Sequence, residues 1–503
     1  MLQQLKRLGG ETVVYGTSTI IGRFLNFLLV PLYTNVLLPG SYGIIAVVYS
    51  FIAFVNVIYS YGMESSYFKY SSTLEIGSRE ENFITPFASL FASSVVFSLI
   101  IIVFSAPLSG AMNVPPDYGF VVFYAAGILA FDALAIVPFA SLRMERKAFK
   151  FAALKFTNII VNVGMNVVLL VGFHMGIKGI FISGLTASVL TFLLLLPTIV
   201  RHSSGSFNSA LWRALMKFGL PSIPAGLSAT AVQVIDRPIL RALTDDATVG
   251  IYQANYRLGI FMMLIVSMYD YAWRPFFFSM AKEPEAREIF SRALTYLVLF
   301  MSLIFLAITF FVKDVVTISI FGRHIISPNY WPGLDIVPVV LLGYLFFGVY
   351  INVSAGMYIE KKTHYLPVIM FIGALVNVVA NYLLIPRSGM MGAAWATFFA
   401  YLVMAIGGVL IGNRVYPMKY EWGRLLKIAA SGGAIMIVYS LVPMHERYSG
   451  IIAKFLLIAG FLALMYILKF FDPREIDFLK RMMKTARPEV AEIPREEPPL
   501  EEA

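Results

Sequence analysis

The chain has 503 residues, of which 59% are hydrophobic and 14% charged, with a mean hydropathy of +0.77 and a formal charge of +10. Soluble domains carry about a quarter charged residues, so a soluble protein is excluded and a polytopic membrane protein is implied. Cysteine is absent, which also excludes disulfides, thiolate metal sites and cysteine nucleophiles.

A membrane-spanning helix needs ~20 mostly apolar residues, and fourteen such segments follow one another along the chain. They cover roughly 11–37, 43–63, 84–106, 119–142, 153–173, 177–200, 218–242, 248–273, 293–312, 333–356, 365–386, 390–412, 426–443 and 450–470. Placing the first ten residues in the cytoplasm puts 29 Lys and Arg in the inside loops and 7 in the outside loops. Cytoplasmic loops are enriched in these residues, so the split supports the count and puts both termini in the cytoplasm. The positive charge is therefore a topology signal, and nucleic acid is not an expected partner.

The chain also repeats itself. Gly9, Gly40 and Tyr42 recur 210 positions later as Gly219, Gly250 and Tyr252, and "VNVGMN" at Val161–Asn166 recurs as "VNVVAN" at Val376–Asn381. Gly176 and Gly179 then match Gly389 and Gly392. Two copies of a six-helix unit enter from the same side, because six is even, and are related by a pseudo-two-fold axis along the membrane normal. The expected fold is thus all-α, with an N-lobe in residues 1–200, a C-lobe in 201–412 and two extra helices in 413–470. Residues 471–503 read as a basic amphipathic stretch and a disordered acidic, proline-rich tail.

Three of the 39 basic residues fall inside predicted spans: Arg23, Arg237 and Arg257. An ionisable group at bilayer depth costs ~2.5–3.5 kcal/mol on insertion scales and usually faces a polar cavity. At a rise of ~1.5 Å per residue, Arg23 and Arg257 both lie near mid-membrane, and Asp132 reaches a similar depth. Asn26 follows Arg23 on the first span and is a further cavity candidate. Asp236 and Arg237 come late in the seventh span and are expected at the outer rim beside Asp335, as a gate or interlobe ion pair. Guanidinium suits an anionic headgroup, since its planar fork binds phosphate in a bidentate manner and stays charged when partly buried. The plain structural alternative is that these arginines pair with Asp132 or with helix-end carbonyls. No phosphate-binding GxxxxGK[ST] loop exists and the outer loops are too short for a catalytic domain. Transport, with no enzymatic step, no cofactor and no metal site, is the expected activity.

Three stretches carry a family resemblance: "RLGGETVVYGTSTIIGRFLNFLLVPLYTNVLLPGSYGIIAV", "FGLPSIPAGLSATAVQVIDRPIL" with "VGIYQANYRLG", and "NVVANYLLIPRSGMMGAAWAT". The sequence resembles the polysaccharide transporter branch of the multidrug/oligosaccharidyl-lipid/polysaccharide exporter superfamily from Leu8 to about Lys469. The resemblance implies an O-antigen flippase-like, fourteen-helix, two-lobed protein of the bacterial inner membrane. Such a protein moves undecaprenyl-pyrophosphate-linked oligosaccharide across the membrane by alternating access. It would bind that lipid-linked substrate and membrane lipids, work as a monomer beside other polysaccharide assembly proteins, and couple to Na+, H+ or the membrane potential. Related lipid II flippases carry cavity arginines on their first and eighth helices, the helices of Arg23 and Arg257 here. The alternatives are a cation-coupled drug antiporter, a membrane-embedded glycan polymerase or ligase, and a non-transporting scaffold.

Overall fold

The computed structural model describes Gly22, Phe24, Leu25 and residues 27–320, 322–442 and 447–472. Arg23, Asn26 and the C-terminal tail lie outside the described residues. Contacts divide the chain at Tyr420/Glu421 into two compact units.

The first unit contains α1 (Leu29–Val36), α2 (Pro39–Ser60), α3 (Met63–Thr73), α4 (Arg79–Val103), α5 (Ser105–Ala111), α6 (Phe120–Met144), α7 (Ala148–Val167), α8 (Gly176–Arg201) and α9 (Ser209–Gly219). It continues with α10 (Ile223–Val234), α11 (Asp236–Leu243), α12 (Asp246–Tyr256), α13 (Ile260–Met280), α14 (Ala286–Thr317), α15 (Val337–Val353), α16 (Ala355–Ile359), α17 (Tyr365–Ser388) and α18 (Met390–Val415). The second unit holds α19 (Trp422–Leu441) and α20 (Arg447–Ile467). Within it, Lys427 Nζ donates to the Lys469 carbonyl at 3.2 Å and Arg424 lies over the Phe470 ring at 4.5 Å, so the two helices return on one another.

Among the described residues twelve helices are long and apolar enough to cross a membrane, and a bent pair makes a thirteenth. About half of the first of the fourteen expected spans lies outside the described residues. One departure from an all-helical chain is a short antiparallel hairpin of β1 (Ser319–Ile320) and β2 (Arg323–His324), turned by Gly322 at φ +77°. A backbone at that angle favours glycine, and two residues per strand are too few for the alternation that marks a strand in sequence.

Local signals set the element boundaries. Ser78 starts α4 with a reciprocal capping box to Glu81, Asn208 caps α9, and Asp245 caps α12. Pro39 opens α2 at a position where a missing N–H costs nothing. In the seventh span Ile235 separates α10 from α11 at a 51° bend. Pro238, three residues on, cannot donate to the preceding turn.

The repeat is written into the geometry. Asn166 Nδ2 donates to the Asn162 carbonyl at 2.8 Å and to Asn162 Oδ1 at 2.9 Å, and Asn381 Nδ2 makes the same two bonds to Asn377 at 2.8 Å each. Gly176 and Gly389 both turn the chain with positive φ, at +55° and +54°. The buried core is apolar, while Leu99, Val103, Phe149 and Leu441 stand on outer faces. A belt of exposed apolar side chains that would aggregate in water is matched to hydrocarbon in a bilayer.

Candidate functional site: a cationic chamber at mid-membrane

The middle of α2 faces the 235 bend and the α12–α13 junction across a chamber of about 420 Å³. Tyr49 and Ser50 come from the N-terminal repeat; Gln233, Arg237, Gln253, Tyr256 and Arg257 come from the C-terminal one. Ala46 to Ala53 are the central residues of α2, so the chamber lies halfway along the span.

Arg257 stands at the start of a one-turn 3₁₀ segment, Arg257–Gly259, between α12 and α13. It is half-buried, and among the described residues no carboxylate lies within salt-bridge range of it. Its charge reaches the rings of Tyr33, Tyr42 and Tyr49. A guanidinium is permanently charged and its planar fork suits an anion.

Arg237 is placed differently. Its Nη1 lies 2.6 Å from Asp236 Oδ1, its Nε donates to Gln253 Oε1 at 3.0 Å, and its plane sits 4.1 Å from the centre of the Tyr256 ring. Asp236 also accepts from the Tyr252 hydroxyl and, at 3.4 Å, from Thr397 Oγ1. The carboxylate is 1% exposed and the arginine 4%, so the pair is buried and hydrogen-bonded on most of its polar atoms. Arg237 Nη2 has no protein partner among the described residues, and the side chain lines the chamber with Arg257. Arg237 therefore lines the chamber, paired with Asp236; the sequence reading expected the pair at the outer rim. Asp335 is exposed on the 3₁₀ segment Pro328–Ile336 and forms no ion pair with either.

Asp132 lies on α6 and accepts from Ser188 Oγ of α8 at 2.7 Å. Its side chain is exposed, and it interacts electrostatically with Lys155 of α7 and with Tyr49. Lys155, whose Nζ lies 4.3 Å over the Phe139 ring, reads in sequence as one more residue of the cytoplasmic basic cluster. The structure does not pair Asp132 with Arg257, although each lies within electrostatic reach of Tyr49. Asn158 donates to the Ala187 carbonyl and Thr191 Oγ1, which makes it a tie between α7 and α8. Among the described residues no three His, Asp or Glu converge on a possible metal site.

A second constellation was not legible in the sequence. Arg241 Nε lies 2.6 Å from Asp246 Oδ1, while its other nitrogens donate to the Met112 carbonyl at 2.6 Å and to the Asn113 carbonyl. These bonds clasp the two repeats together at the ends of α5 and α11. Beside the clasp α2 and α12 cross so closely that a Cβ on Gly43 would meet the Asp246 carbonyl at 1.9 Å, and one on Gly250 the Pro39 carbonyl at 1.9 Å. This close crossing lies at the end of the two helices that loop charge assigns to the outside.

The comparisons with known proteins agree with this architecture. The model of the family "Polysaccharide biosynthesis protein" matches residues 8–281, more than half of the chain. No curated protein matches the sequence. Among solved structures, the lipid II flippase MurJ in an inward closed conformation is similar at TM-score 0.73 and 17% identity, covering 94% of this chain and 100% of that one. An inward-facing multidrug resistance MATE family transporter of the MOP superfamily aligns at TM-score 0.63 and 14% identity, over 78% of this chain and 94% of that one. An outward-facing MATE family transporter gives TM-score 0.56 and 14% identity, over 80% and 94%. At these identities the likeness is one of fold. The chain is a multi-pass membrane protein that belongs to the polysaccharide biosynthesis protein family and has the fold of the multidrug/oligosaccharidyl-lipid/polysaccharide exporters.

Proposed function

We propose that this protein flips an undecaprenyl-pyrophosphate-linked oligosaccharide across the bacterial inner membrane by alternating access, with both termini in the cytoplasm. The observation that carries the reading is Arg257 without a carboxylate in a chamber halfway along the spans, with Arg237 lining the same space. Sugars and phosphate cannot cross hydrocarbon unaided, because unpaired polar and charged groups are too costly there. A cationic chamber replaces water around the pyrophosphate while the polyprenyl chain stays in lipid. A chamber of about 420 Å³ has room for a pyrophosphate but little more, so the lobes must part to admit the glycan. The Arg241 clasp is the contact that breaks when the chamber opens outward.

The test is flipping of a defined lipid-linked oligosaccharide by the purified chain in proteoliposomes, with and without Na+, H+ or potential gradients. Arg257→Glu is expected to abolish flipping in folded protein, and normal flipping by that variant overturns the phosphate role. Dependence on one gradient identifies the coupling ion. A second reading, a cation-coupled drug antiporter, draws on the exposed carboxylate of Asp132. It predicts drug efflux that is lost in Asp132→Asn and kept in Arg257→Gln.

A further inference from the structure

A larger cavity, about 840 Å³, lies apart from the chamber. Its walls are apolar, built from Phe27, Leu258, Phe261 and Val312, and it opens at the surface beside Leu28 and Ile320, which are 46% and 53% exposed. In a membrane protein that surface is lipid. Polar groups gather at one end only, where α1 meets the β1–β2 hairpin. Two of the three are already engaged. Asn35 Nδ2 donates to the Pro31 and His324 carbonyls at 2.9 Å each, and His324 Nδ1 is bonded to the Thr317 carbonyl at 2.8 Å. Arg323, the third, is exposed and has no carboxylate in range among the described residues. It is one of only 7 basic residues on the face assigned to the outside, against 29 on the other.

The groove and the chamber share a wall. Arg257 faces the chamber, while Leu258 and Phe261, one and four residues on, face the groove. Phe27 meets Phe261 edge to face at 5.0 Å and completes the partition. From Phe27 to Asn35 the groove follows roughly 12 Å of helical rise, ending at the cation. An apolar slot ending in an arginine without a carboxylate is complementary to a hydrocarbon chain that carries a terminal phosphate.

We infer that this groove seats the first part of the polyprenyl chain of the carried lipid as it leaves for the outer leaflet, with Arg323 holding its phosphate. The inference rests on the flippase reading. Parting Phe27 from Phe261 then opens the chamber sideways, so a headgroup exits while its chain never crosses polar space.

The experiment uses the full chain in nanodiscs with three diazirine-bearing probes at equal mole fraction: a prenyl phosphate, the corresponding prenol and a phosphatidylglycerol. Labelled peptides are mapped by mass spectrometry. The prenyl phosphate is expected to label the 307–325 region above the other two. Arg323→Gln should lower its labelling there about tenfold while leaving the prenol unchanged, and Arg323→Lys should keep most of it. Val312→Trp, which fills the groove, should remove labelling by both prenyl probes at an unchanged melting temperature. Equal labelling by phosphatidylglycerol would mean bulk lipid and would overturn the inference, as would indifference to Arg323→Gln. Labelling does not require transport, so the two readings fail separately. A chain that flips but is not labelled here loses the groove alone, and one that is labelled but does not flip loses the proposed function.

Discussion

The two arginines of the chamber illustrate how the same side chain does opposite work depending on what compensates it. Arg237 is tied to Asp236, Gln253 and the Tyr256 face, so its charge is largely balanced within the fold. Removing one partner of a buried ion pair leaves an uncompensated charge and costs about 3–5 kcal/mol. Asp236→Asn is therefore expected to lower the melting temperature strongly in detergent, and substituting the neighbouring Arg237→Met in the same chain should restore part of the loss. Arg257 lacks a carboxylate, so the opposite pattern holds. Arg257→Gln should leave the melting temperature within a degree or two of the parent while flipping falls at least about tenfold, the cost of losing a charge-assisted hydrogen bond of about 1.5–3 kcal/mol. Arg257→Lys should retain part of the rate, because a point charge keeps the attraction but not the bidentate geometry. The place of Arg257 in the lining of a cavity was legible in sequence, since a cation alone in an apolar run usually faces a polar cavity. The ties of the Asp236–Arg237 pair were not: Gln253 is 16 positions from Arg237 and Thr397 is 161 from Asp236, and nothing in a hydropathy pattern brings them together.

At the scale of elements, the lobes are held together by the close crossing of α2 and α12 and by polar clasps beside it. The Arg241 clasp engages one carboxylate of its own repeat and two carbonyls just past the end of α5 in the other. Hydrogen bonds to charged groups contribute about 1.5–3 kcal/mol, enough to shift an open-to-closed ratio about tenfold or more. Arg241→Ala should accordingly raise the rate at which the thiol of an Ala53→Cys variant, in the chamber, reacts with a membrane-impermeant thiol reagent added outside. An unchanged rate would show that the Gly43–Gly250 crossing alone seals this end. On the opposite face, the ends of α6 and α8 are joined through Glu145, which lies 2.8 Å from His202 Nε2 and 2.5 Å from Lys147 Nζ. Burial pushes the Glu145 carboxyl upward, but the Lys147 hydrogen bond and the charges of Lys147, His202 and Arg201 outweigh it and hold the group below the usual glutamate range. A depressed carboxylate lends stability above its unfolded pKa, near ~4.3, and loses it as pH falls through the folded value. Glu145→Gln should therefore lower the melting temperature at pH 7, with the difference from the parent shrinking below about pH 4. A pH-independent difference would assign the effect to packing. Neither device has a sequence signature, because each joins charges on loops and helix ends that read individually as topology signals.

The whole molecule was more legible than its parts, and the reason is the solvent. In hydrocarbon every backbone polar group must be satisfied internally, so apolar runs translate almost directly into helices. The expected spans at 365–386 and 390–412 correspond to α17 and α18 within a few residues. The repeat was visible because it is carried by residues with geometric duties: the asparagine pairs bond alike in both copies, and two glycines take the same positive-φ turn. What hydropathy could not supply was the β1–β2 hairpin, too short to show a pattern, and the 51° break at Ile235. The orientation of the assembly in the bilayer rests on loop charge alone, and the absence of native cysteine makes it directly measurable. Single cysteines at Ser203→Cys and Asn329→Cys, both between expected spans, should be labelled from opposite faces of intact cells: Asn329→Cys by an impermeant maleimide added outside, Ser203→Cys only after permeabilisation. The reverse pattern would invert the molecule, place the Arg241 clasp on the cytoplasmic side and turn the Arg323 groove from an exit into an entrance. Labelling of both from outside would require an even number of crossings between them, where the expected spans at 218–242, 248–273 and 293–312 make the number odd.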